Sequence, residues 1–79
     1  MTLSKAFAMK LSKLLSENKM SRYALEKKSG ISRTALRYIF NEKSSDVNLS
    51  TVVKACDVFG LSVSEFFNDQ LFAHENLEY

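Results

Sequence analysis

Arg33, Thr34, Arg37, Tyr38 and Asn41 place two guanidinium forks, a hydroxyl, a phenol and an amide in one short stretch of the chain. Groups of this kind bond to base edges and to phosphate oxygens alike. Winding the stretch as a helix, at about 100° per residue, puts those five residues on one side and Ala35, Leu36 and Ile39 on the other. At about 1.5 Å per residue the polar side spans roughly 12 Å, comparable with the ~12 Å width of the B-DNA major groove. The stretch reads as a recognition helix. A solvated helix face is the plainer reading of the same residues, so the surrounding elements must decide between them.

Those elements are well punctuated. Ser32 stands where an N-cap is needed before Arg33, and Ser21 stands the same way before Arg22. Between the two helices lies Ser29-Gly30-Ile31, in which Gly30 suits the left-handed residue that commonly closes a helix. Two helices so closely joined, the second with a polar outer face, make a helix-turn-helix. Tyr23, Ala24 and Leu25 are expected to supply apolar surface to the first of them, with Arg22, Glu26, Lys27 and Lys28 facing water or a ligand. Upstream, Leu3, Phe7, Leu11, Leu14 and Leu15 recur at helical spacing and predict a helix over about Leu3–Glu17, with Lys5, Lys10 and Lys13 away from its apolar stripe. A turn is expected at Asn18-Lys19-Met20.

Downstream, the polar run 41–48 reads as a loop. Asn48 is placed to cap a fourth helix whose apolar face is Leu49, Val52, Val53, Cys56 and Phe59, and Gly60 ends it. Ser62-Val63-Ser64-Glu65 has the form of a capping box, opening a fifth helix with Val63, Phe66 and Phe67. Cys56 reads as a space-filling core residue.

Seventy-nine residues, 46% of them hydrophobic, suit one domain with one core. Pro is absent and the two glycines fall at 30 and 60, so an all-α fold is expected. The organisation expected is a domain over 1–67 and a short acidic and apolar tail over 68–79 that extends the fifth helix. No Cys/His cluster has metal-site spacing, so no metal and no cofactor is expected. The single His74 lies in the tail without a nucleophile or carboxylate constellation, and no Gly-rich phosphate loop exists, which argues against catalysis. No stretch approaches the ~20 apolar residues of a membrane helix and the opening residues lack a signal-peptide run; a soluble, cytoplasmic protein is expected.

The net charge of +2 conceals an uneven distribution. Residues 1–54 hold all eleven Lys/Arg against four acidic residues, a net +7, whereas residues 55–79 hold five acidic residues and no Lys/Arg, a net −5. One part of the chain attracts polyanions and the other repels them.

The segments Met20–Leu25, Ser29–Leu36, Asn48–Cys56 and Gly60–Phe67, in this order and at these separations, resemble the Xre/Cro-type, lambda-repressor-like helix-turn-helix family. The resemblance runs from about Phe7 to Phe67. It implies a compact five-helix domain that binds double-stranded DNA through its second and third helices. Carried over residue by residue, it implies base reading by Arg33, Thr34 and Arg37. It implies backbone contacts by Ser21, Arg22 and Ser32, by Tyr38 and Asn41 at the end of the reading helix, and by Lys43 and Ser44 in the loop beyond. The chain departs from the family in carrying Arg22 where Gln is frequent, Phe40 where Glu is frequent and Glu42 where Gly is frequent. Phe40 winds to the edge between the two faces, where it could cover the loop, pack on a partner or touch sugar.

The function expected is sequence-specific transcriptional regulation, as a repressor on a palindromic operator. The alternative is an antitoxin-like module that binds a protein partner through the tail. A homodimer is expected as well, because Phe66, Leu71 and Phe72 present more apolar surface than a small core takes up; the competing reading folds Leu71 and Phe72 back onto the first helix.

Overall fold

A computed structural model describes residues 1–41 and 47–78. Five α-helices follow one another: α1 (Leu3–Glu17), α2 (Arg22–Ser29), α3 (Arg33–Phe40), α4 (Leu49–Phe59) and α5 (Val63–Phe67). Two single 3-10 turns, Gln70–Phe72 and His74–Asn76, complete the chain, and no strand occurs among the described residues. The helix α1 packs on α3, α2 on α4 and α4 on α5, and the first 3-10 turn returns to α1.

The helix starts follow from local chemistry. Ser21 Oγ accepts the Ala24 N–H at 3.0 Å and Ser32 Oγ accepts the Ala35 N–H at 3.1 Å, each satisfying a donor that a helix leaves unpaired in its first turn. Thr2 caps α1 in the same way. At α5 the capping box is complete: Ser62 Oγ accepts the Glu65 N–H at 3.0 Å, and Glu65 Oε1 accepts the Ser62 N–H at 2.9 Å. That second bond holds the Glu65 carboxyl below its ordinary pKa. Asn48 occupies the N-cap position of α4 but makes no capping hydrogen bond through its side chain.

Gly30, at φ 76°, closes α2 in the left-handed region. The Ile31 N–H donates to Ser29 Oγ at 3.0 Å, and Ile31 itself is buried, so the turn between α2 and α3 is tied down from both sides. The turn after α1 uses a non-glycine in the same backbone region, Lys19 at φ 52°.

The core joins Phe7, Leu11, Leu14 and Leu15 of α1 to Leu25 of α2, Ile31 of the turn, Leu36 and Ile39 of α3, Val52 and Cys56 of α4 and Phe66 of α5. Burial pushes the Cys56 thiol up in pKa, consistent with a space-filling role. Several residues depart from the sequence reading. Tyr23 is exposed, so α2 contributes mainly Leu25 to the core, and on α4 Leu49 and Val53 are exposed beside buried Val52, Ala55 and Cys56.

The largest departure concerns the tail. The helix α5 stops at Phe67 rather than extending, and the chain folds back along α1. Phe66 is fully buried, its ring 5.5 Å from that of Phe7, 5.2 Å from Phe67 and 5.8 Å from Phe72. Phe67 and Phe72 meet edge to face at 4.7 Å. Phe66 and Phe72, expected on a dimer surface, are therefore used inside the protomer, and Leu71 is half-buried.

Lys10 is also relocated. It is buried, and its Nζ donates to Asp69 Oδ2 at 2.9 Å; Lys13 Nζ reaches the same oxygen at 3.2 Å. The Leu71 N–H donates to Asp69 Oδ1 at 3.0 Å. Together these bonds, with the Leu71 contact the largest cause, hold the Asp69 carboxyl at about 2. Met1 and the tail close the ring of contacts, the N-terminal ammonium donating to the Asn76 carbonyl at 2.7 Å and the Glu78 N–H to the Met1 carbonyl at 2.8 Å.

Candidate nucleic-acid interface

Burial of Leu36 and Ile39 fixes how α3 is rotated about its axis, and its polar side follows. Arg33, Thr34, Arg37, Tyr38 and Asn41 are all exposed, Tyr38 to 55%. Ser21, Arg22 and Ser32 are exposed as well. Lys43 and Ser44, and the departure at Glu42, lie outside the described residues.

Arg22, Arg33 and Arg37 line one concavity of about 220 Å³ between α2 and α3, with Tyr23, Glu26, Leu36 and Phe40 as its other walls. Two contacts cross it. At one end the guanidinium of Arg22 lies 4.0 Å from the centroid of the Phe40 ring, a stacking distance at which the ring's negative face attracts the cation. At the other, Arg33 Nε donates to Glu26 Oε1 at 3.1 Å, and this bond raises the pKa of a guanidinium that is charged in any case.

These contacts account for two departures noted in the sequence. Phe40 is half-buried and packs against the core, so its ring serves as a shelf between the hydrophobic interior and the Arg22 cation. Arg22 is thereby held near the start of α2 without the amide found more often there. Tyr23, expected in the core, stands on the outer wall at 61% exposure, with Lys27 Nζ 5.3 Å from its ring centroid.

Glu26 is the residue of this concavity that the sequence does not single out. Its position on the polar side of α2 was visible, but its partner lies seven positions ahead across a turn, and only the angle between the helices brings the two together. Charge along the chain is correspondingly less divided than the sequence suggested. Asp69 offsets part of the charge of Lys10 and Lys13, and Glu26 offsets Arg33 within the α2–α3 face itself.

The arrangement suits a duplex better than a small substrate. An exposed helix face with alternating fork, hydroxyl and phenol groups can lie along a groove, while exposed cations beside it neutralise phosphates. No group of three or more His, Cys, Asp or Glu side chains is arranged to hold a metal among the described residues. No helix among them is long and apolar enough to cross a membrane.

Residues 10–70 match the family model for the Cro/C1-type HTH DNA-binding domain. Comparison with curated proteins and with solved structures finds no match.

Proposed function

The chain belongs to the Cro/C1-type helix-turn-helix family, a DNA-binding regulatory fold and not an enzyme family, and from that premise we propose that it is a repressor acting as a homodimer on a palindromic operator. The observation that carries the reading is the exposed face of α3 beside the arginine-lined concavity. Arg33, Thr34 and Arg37 read base edges from the major groove. Ser21, Arg22, Ser32, Tyr38 and Asn41, with Lys43 and Ser44, hold the phosphate backbone. Bound across a promoter in the cytoplasm, the protein excludes polymerase by occupancy alone.

Two-fold pairing supplies what one domain lacks. A single α3 of eight residues reads only a few base pairs. The domain measures 33 × 25 × 21 Å, a size compatible with two copies whose reading helices stand the 34–36 Å apart, about one turn of duplex, that symmetric half-sites require. With Phe66 and Phe72 used inside the protomer, the pairing surface we propose consists of Leu71 and of the apolar residues left outside, among them Leu49 at 68% and Leu3 at 44% exposure. Leu3 and Leu49 line one shallow concavity with Phe67.

The tail bears on the antitoxin-like alternative. Residues 68–78 are engaged with α1 and with Met1, which favours a tail that completes the domain over one that waits for a protein partner. Selection of bound sequences from a random duplex pool tests the proposal: an inverted repeat with half-sites about one helical turn apart supports it. Recovery of no enriched sequence, or a chain that sediments as a monomer at tens of micromolar with no dimer on DNA, contradicts it.

A further inference from the structure

Among the described residues, the α2–α3 concavity is lined by three arginines and a single carboxylate, that of Glu26. On a surface that approaches phosphates, one acidic group weakens attraction to every duplex, whatever its sequence. Its geometry suggests what it does instead. The Glu26 side chain is 18% exposed and sits on the wall of α2, whereas the Arg33 side chain it holds is 68% exposed. The anchored partner is thus the acid, and the cation projects from it.

We infer that Glu26 is a positioning residue that aims Arg33 at a guanine, and that it determines sequence discrimination rather than affinity; the inference rests on the base-reading role proposed for α3. The bond from Arg33 to Glu26 uses Nε. The two Nη nitrogens, which form the outer fork of the guanidinium, make no hydrogen bond among the described residues. A fork of that kind matches the O6 and N7 acceptors of guanine. An unheld arginine samples many rotamers and settles on any nearby phosphate, which adds affinity without information. Fixing the side chain at Nε restricts it to the orientation in which the outer fork leads, and the Glu26 charge offsets part of its attraction to backbone oxygens.

Opposite changes in two measured quantities separate this role from a structural one. The base pair that Arg33 reads is located as the operator position whose preference Arg33→Ala reduces most. Affinities of the full-length protein for the four duplexes differing at that pair, and for an unrelated duplex, are then measured over a salt series. In Glu26→Ala the preference for guanine falls by about fivefold, toward the lower limit of what one bidentate arginine contributes. Affinity for the unrelated duplex rises, and its salt dependence steepens by about one phosphate contact. Glu26→Asp keeps the charge but shortens the reach; its preference falls, and its affinity for the unrelated duplex rises less than that of Glu26→Ala. In an Arg33→Ala background, Glu26→Ala changes the preference no further.

A Glu26→Ala protein that keeps the wild-type preference overturns the inference, as does one whose affinities for all duplexes fall in proportion. Further loss of preference in the Arg33→Ala background also overturns it, because Glu26 then reads a base by itself. A wild-type chain without any sequence preference overturns the base-reading proposal as well, so the two failures are distinguishable.

Discussion

Replacing Asp69 by Asn removes one negative charge at the point where the tail meets α1. The amide oxygen still accepts from the Leu71 N–H, so the local turn is kept, but Lys10 and Lys13 lose their shared partner. In the native protein the Asp69 carboxyl is held at about 2 against an ordinary 3.8. At 1.36 kcal/mol per unit, that depression corresponds to about 2 kcal/mol of stability, an upper bound on what Asp69→Asn removes through charge, because the amide keeps the Leu71 bond that is its largest cause. Lys10, only 8% exposed, would remain as an uncompensated buried cation, which pushes the cost in the same direction. A loss of about 1–2 kcal/mol lowers the melting midpoint of a domain this size by roughly 4–16 °C. The sign of the pH dependence is fixed by the direction of the shift. Because the folded-state pKa lies below the unfolded one, the contribution is complete above the ordinary carboxyl range and disappears as pH falls through 3.8 toward 2. Thermal melts of wild type and Asp69→Asn at pH 7, 4 and 2 should therefore show a wide gap that narrows at the lowest pH. A gap below about 3 °C at pH 7, or one of equal width at pH 2, would refute the reasoning.

Other perturbations address the remaining contacts. Phe40→Leu removes the ring beneath Arg22 and should weaken binding to all duplexes alike by about 2–5-fold, the worth of an exposed cation–π contact, whereas Phe40→Tyr should restore it in the same titration. Lys19→Gly relieves a left-handed backbone position and should raise stability by about 0.5–1 kcal/mol in urea unfolding; a lower midpoint would show that the turn after α1 tolerates lysine without strain.

Helix starts and ends were legible because their causes are local. Ser21, Ser32, Ser62 with Glu65, Gly30 and Gly60 each act within four residues of where they stand, and the polar side of α3 follows from periodicity once Leu36 and Ile39 are buried. What could not be read depends on separations that periodicity does not encode. Lys10 and Asp69 stand 59 positions apart, so a lysine beside an apolar stripe looks solvated until the tail is seen to return. Phe66 and Phe72 looked surplus for the same reason, since a helix prolonged beyond Phe67 would have carried Phe72 away from α1. Glu26 lay closer, yet its partnership with Arg33 depends on the angle set by Gly30 and Ile31.

The central claim is that α3 reads base pairs while the start of α2 holds the backbone, and equilibrium binding to an enriched duplex and its single-base variants tests it most directly. Arg37→Ala is expected to cost about 1–3 kcal/mol on the best duplex and to flatten the preference at one base pair. Arg22→Ala is expected to weaken every duplex about equally and to reduce the salt slope by about one. An Arg37→Ala protein that discriminates among the variants as well as wild type does would contradict the account.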